Sequence, residues 1–148
     1  MTQTARYHHG DLHATLLQEA NTLLNEQGIE GLSLRKLAER AGVSRTAPYH
    51  HFRDKNALLC ALATQAFRQL DEMINSQLQE AGSQEGIQNF VREYLRFATE
   101  NPEQYELMFG RTIWKGGEPT DELKTIAYRS FRHYAERLAT LLAGRLPA

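Results

Sequence analysis

The chain has 148 residues, 41% of them hydrophobic, and a formal net charge of −1. This length suits one domain, or a head of about 50 residues joined to a helical body, and a chain of this size buries about two-thirds of its unfolded surface. A near-neutral balance excludes a uniformly basic nucleic-acid binder but not a locally basic one: Gly31 to Lys55 carries six basic residues against two acidic ones, whereas from Ala57 onward ten basic residues face twelve acidic ones.

Every periodic stretch has the helical repeat. From Asp11, "DLHATLLQEANTLLNEQG" sets Leu12, Leu16, Ala20, Leu23 and Leu24 on one stripe, with Asp11 as the expected cap and Gly28 as the stop. "SLRKLAERAG" predicts a second helix capped by Ser33 and ended by Gly42. "SRTAPYHHF" predicts a third of about two turns, opened by Ser44 and shortened or distorted by Pro48, which lacks an amide and crowds the preceding turn. Asp54 then caps a long pattern from Lys55 to Gln79, 25 residues or about 37 Å of helix.

"AGSQEG" breaks the chain, and a fifth helix follows with Ile87, Phe90, Tyr94 and Leu95 on one side. "NPEQ" is a compact start signal, with Asn101 as cap, Pro102 at the first helical position and Gln104 at the third. The short helix it opens runs into the turn-rich "WKGGEPT", after which Thr120 caps a seventh helix with Asp121 and Glu122 in its first turn. No segment alternates like a strand, so the fold expected is all-α: a head over residues 1–55 and a helical body over residues 56–148, joined by the long helix.

Ala38 and Gly42, four apart and without bulk, would let the next helix cross closely, as a helix-turn-helix requires. Leu34, Leu37, Ala41, Val43 and Phe52 would bury beneath the crossing. Ser44, Arg45, Thr46 and Ala47 then project from the leading turn, where arginine suits guanine edges and a small methyl suits thymine. Tyr49, His50 and Lys55 offer donors to phosphates.

These residues resemble a known pattern. "LLQEANTLLNEQGIEGLSLRKLAERAGVSRTAPYHHFRDKNALLCAL", within Arg6 to Leu62, is similar to the DNA-binding head of the tetracycline-repressor (TetR/AcrR-like) family of bacterial regulators. The resemblance implies that Arg35, Arg45, Thr46, Ala47, Tyr49, His50, His51 and Lys55 touch DNA. It also implies that "ARYHHGD" is a basic arm, and that "NPEQYELMFG" belongs to a helical effector-binding body whose last two helices pair in a dimer. The chain stops at Ala148, after the seventh expected helix, so the bundle is expected to be shortened, lacking the final pairing helices.

Other chemistries have weaker support. His9 and His13, four apart in "HHGDLH", could share a metal, but Asp11 is better used as a cap, and no metal or cofactor is expected. Cys60, the one cysteine, lies in an apolar stripe, where burial outweighs reactivity. It allows no internal disulfide, and no apolar run nears the ~18 residues of a membrane span, so a cytoplasmic chain is expected. No Gly-rich phosphate loop, GxSxG elbow or HExxH motif is present, so an enzyme is not expected.

The aromatic second half suits a bundle core, with Tyr94, Trp114 and Tyr128 supplying polar tips to a cavity for a small hydrophobic effector. The reading is a sequence-specific regulator, most often a repressor in such a family, that binds a palindromic double-stranded operator as a homodimer. The competing reading is a helical protein-interaction module with a basic docking face.

Overall fold

The computed structural model describes residues 9–78 and 83–143. They form seven α-helices and one 3₁₀ turn, with no strand among the described residues: α1 (His9–Gly31), α2 (Leu34–Ala41), the turn Ala47–His50, α3 (Lys55–Leu78), α4 (Ser83–Glu100), α5 (Pro102–Phe109), α6 (Arg111–Trp114) and α7 (Asp121–Ala143).

Most helix ends follow the local chemistry. Ser33 Oγ accepts from the Lys36 amide at 3.1 Å, Asp54 Oδ1 from the Ala57 amide at 2.9 Å and Thr120 Oγ1 from the Leu123 amide at 3.2 Å. Each satisfies an amide that the first turn leaves free. Gly28 turns the chain at φ +72° and Gly42 ends α2 at φ +68°, in the left-handed region that glycine enters without a Cβ penalty.

Two expected caps work differently. Asp11 lies inside the first turn of α1, which opens at His9. Asn101 precedes α5 but turns its amide back to the Phe97 carbonyl at 3.1 Å, closing α4. Ser83 to Gly86, expected within the break, already belong to α4; Gln79 and residues 80–82 lie outside the described segments.

α3 is the spine. It packs against α4, α5 and α7 in the body and against α1 in the head. One continuous apolar core runs its length, from Leu16, Leu24, Leu37 and Phe52 through Leu58 and Leu62 to Leu70, Ile74, Leu107 and Ile113. Cys60 is buried in it.

Polar ties join elements distant in the chain. The Asn56 side chain donates to the Glu118 carbonyl at 2.8 Å and accepts from the Glu118 amide at 3.0 Å, pinning the loop before α7 to the start of α3. Asn21 of α1 donates to Gln65 of α3 at 2.7 Å, and Gln104 of α5, only 6% exposed, donates to Asn25 at 3.0 Å. Gln104, expected as a local capping residue, therefore serves the long-range contact between α1 and α5.

Candidate nucleic-acid interface

The exposed turn after Gly42 is built from below. The Val43 amide bonds to the Ala38 carbonyl at 3.1 Å, and the Ala47 amide to that of Ser44 at 3.1 Å. Pro48 has no amide to continue an α-helical ladder, and the chain tightens into a 3₁₀ turn. The two-turn α-helix expected to open at Ser44 is therefore replaced by a turn at Arg45–Thr46 and a single 3₁₀ turn. Pro48 itself is buried, and its carbonyl accepts from the His51 and Phe52 amides at 3.0 and 2.9 Å. Phe52 anchors the far end in the core.

With Pro48 and Phe52 inward, the remaining side chains face out. Ser44, Arg45, Thr46, Tyr49 and His50 are exposed, Tyr49 by 56%, while Ala47 is half-buried. Ser44 Oγ and Thr46 Oγ1 lie 3.4 Å apart. The small residue at 42 was expected to permit a close crossing. Instead a Cβ there would meet nothing within 4 Å, so glycine is required by its dihedral angle and not by contact.

The other expected DNA contacts are more occupied. Arg35 is exposed and pairs loosely with Glu39 at 3.4 Å, a bond that solvent makes weak. Lys55 donates to the Ile29 carbonyl at 2.8 Å across the junction of α1 and α3. His51 is half-buried, its ring 5.4 Å from that of His13 on α1. Arg40 belongs to another role: it meets Glu26 through two bonds at 2.5 and 2.8 Å and Glu19 at 3.3 Å. Its bonds to Glu26 raise the guanidinium pKa and hold the Glu26 carboxyl below the usual range. One of the six basic residues of the stretch is thus neutralised by α1.

The body contains an apolar groove of about 280 Å³ walled by Phe67, Phe90, Tyr94, Phe109, Phe131 and Tyr134. Of the three expected polar tips, Tyr94 reaches it, but its hydroxyl is paired with that of Tyr105 at 3.1 Å. Trp114 lines an adjoining hollow that shares Phe67, Phe109 and Phe131, and its indole N–H is bonded to the Met108 carbonyl at 2.7 Å. Tyr128, 64% exposed, borders a separate polar hollow with Asp71 and Arg129. The three are not brought together.

Tyr134 and Ser130 both donate to the Asp71 carboxylate, tying α7 to α3. Burial, then the Asp71 bond and charge, push the Tyr134 phenol well above its ordinary pKa. Sequence reasoning missed this triad, because Asp71 lies 59 residues from Ser130 and 63 from Tyr134.

Among the described residues no group of three or more metal-ligating side chains converges. No described helix is long and apolar enough to cross a membrane. The His9 side chain and residues 5–8 of the expected arm lie outside what the structure describes.

Two family profiles match the chain: bacterial regulatory proteins of the tetR family over residues 16–62, and the tetracyclin repressor-like C-terminal domain over residues 87–148. The tetracycline repressor protein class A from transposon 1721 of Escherichia coli is 59% identical over 49 residues, 33% of this chain and 23% of that protein. The HTH-type transcriptional repressor AcnR of Corynebacterium glutamicum is 33% identical over 93 residues, 63% of this chain and 43% of that protein. The matched segments thus span less than half of these relatives.

Among solved structures, a protein with unknown function from Rhodococcus sp. RHA1 superposes with a TM-score of 0.80 at 33% identity, covering 94% of this chain and 72% of that one. The TetR family transcriptional regulator PfmR from Thermus thermophilus gives 0.66 at 27%, covering 86% and 68%. With its head and body matched separately and its helical fold shared along nearly its whole length, this chain belongs to the tetR family of bacterial regulatory proteins.

Proposed function

We propose that the chain is a sequence-specific DNA-binding transcriptional regulator, a ligand-responsive repressor that engages a palindromic operator as a homodimer. The observation that carries this reading is the exposed side chains of Ser44, Arg45, Thr46, Tyr49 and His50 on a turn anchored by buried Pro48 and Phe52. A leading turn that spends its backbone bonds inward leaves Arg45 and Thr46 free to reach base edges. The Ala47 methyl would meet a thymine methyl, and Arg35, Tyr49, His50, His51 and Lys55 would line the flanking backbone. Residues 1–55 act as head and residues 56–148 as body; two heads would enter successive major grooves about 34–36 Å apart. In this reading the protein binds in the cytoplasm and does not catalyse.

The aromatic groove supports a small hydrophobic effector, reached through Tyr94, with Trp114 beside it and Tyr128 outside it. α3 lines that groove through Phe67 and begins beside the reading turn, so a tilt of α3 would change the head spacing. An effector that prefers the non-binding state 100-fold supplies at most about 2.7 kcal/mol.

Selection of bound duplexes from a random pool, repeated with Arg45→Ala, tests the reading. A palindrome should emerge, and the variant should lose about 1–3 kcal/mol with relaxed preference at one position of each half-site. Equal binding of every duplex would overturn base readout and leave a basic docking module.

A further inference from the structure

A second cavity, of about 430 Å³, lies where head meets body, away from the aromatic groove. Its volume falls in the range of small-molecule sites. One side is apolar: Leu17 of α1, Phe52 at the end of the reading turn, and Ala57 and Ala61 of α3.

The other side is rich in hydrogen-bond donors. Gln65 Oε1 already accepts from Asn21, which leaves the Gln65 amide hydrogens to donate. Thr120 Oγ1 accepts from the Leu123 amide, which leaves its own hydroxyl hydrogen. Arg68 stands at the mouth, 58% exposed, with one nitrogen bonded to Glu122 at 2.8 Å and the rest of its fork free to turn. His13, stacked on Phe52 with ring centroids 5.3 Å apart, supplies an imidazole N–H. Against these, Glu122 is the sole carboxylate among the described lining residues, and the Thr64 hydroxyl gives its hydrogen to the Cys60 carbonyl.

We propose that this crevice binds a small amphipathic monocarboxylate. Its apolar body would lie on Phe52, Leu17 and Ala61, and its carboxylate would take the donors of Gln65, Thr120 and Arg68. Arg68 would exchange Glu122 for the ligand. An occupant would touch both Phe52, which closes the reading turn, and Gln65, whose partner Asn21 also accepts from Gln104 of α5 at 3.4 Å. Binding itself is independent of DNA; an effect of the carboxylate on DNA affinity rests on the function proposed above.

Benzoate titrated into the full chain, followed by NMR, tests the site, with benzamide as the neutral isostere. The rings of His13 and Phe52 should shift and saturate. Benzamide should bind roughly tenfold more weakly, because it forfeits the charge-assisted bonds. Arg68→Gln should weaken benzoate by about the same factor, whereas Glu122→Gln, by releasing Arg68 and removing a like charge, should tighten it. Ala61→Phe should abolish binding with an unchanged far-UV spectrum.

Equal binding of benzoate and benzamide would overturn the proposal, as would shifts confined to Phe131 and Tyr94. So would affinities unmoved in both charge variants. A saturable benzoate shift with no duplex preferred over another would sink the operator reading and leave this site standing.

Discussion

Lys55→Met separates a structural tie from a contact with DNA. The ammonium of Lys55 donates to the Ile29 carbonyl, 26 residues away, just after the chain leaves its helical path at Gly28. A hydrogen bond from a charged donor contributes about 1.5–3 kcal/mol. The lower end applies here, because the same carbonyl also accepts from the Leu32 amide at 3.2 Å and stays satisfied when the lysine is gone. Partial exposure trims the figure further, to about 1–1.5 kcal/mol. Methionine keeps the apolar stem, so little packing is lost. For a chain of this length the melting temperature should fall by about 2–6 °C. Two of the three ammonium hydrogens remain for phosphate, so the slope of log K against log salt should also flatten by about one. Thermal melts and a salt series on one selected duplex read the two effects separately. An unchanged melting temperature would refute the role assigned to the Ile29 tie, whatever the salt slope did.

Gly42→Ala should cost only about 1 kcal/mol in urea unfolding, because the space is open and the penalty is the left-handed backbone alone; a loss several times larger would show a crowded crossing after all. Tyr134, with its phenol held above the ordinary value by burial and then by Asp71, keeps its proton when the unfolded chain has begun to lose it. Its contribution is therefore complete below about pH 10 and declines as pH rises above that value. Tyr94, raised by burial and then by Tyr105, acts in the same direction. Tyr134→Phe should lower stability at neutral pH by about 1–2 kcal/mol and make the alkaline decline shallower in a pH series of urea titrations. An identical alkaline slope in the variant would rule out this origin.

Several helix boundaries were legible because their signals are local. Ser33, Asp54 and Thr120 cap the helices they were expected to cap, and Gly28 and Gly42 end regular helix as their neighbours suggested. Pro48 was recognised as a distortion, yet the resulting geometry was not: the lost amide leaves a single 3₁₀ turn in place of a short α-helix. Asn101 marked the right boundary while its side chain chose the wrong helix, since an asparagine amide can donate backward to one carbonyl as readily as its oxygen can accept forward. The aromatic second half was recognised as core and cavity wall together, but which rings do which could not be read from spacing. Phe90 is buried and Phe131 is 71% exposed, although both lie on helical stripes.

The sequence by itself determined the helical periods, their stops and the basic stretch around the Ala47–His50 turn, because each depends on near neighbours in the chain. Tertiary structure alone decided that Arg40 is consumed by Glu19 and Glu26, that Lys55 reaches Ile29, and that Gln104 bonds to Asn25 across a separation of 79 residues. Tertiary structure also opened a donor-lined crevice between head and body. Side-chain donors and acceptors choose their partners by proximity after collapse, and no one-dimensional period records which distant pair will meet.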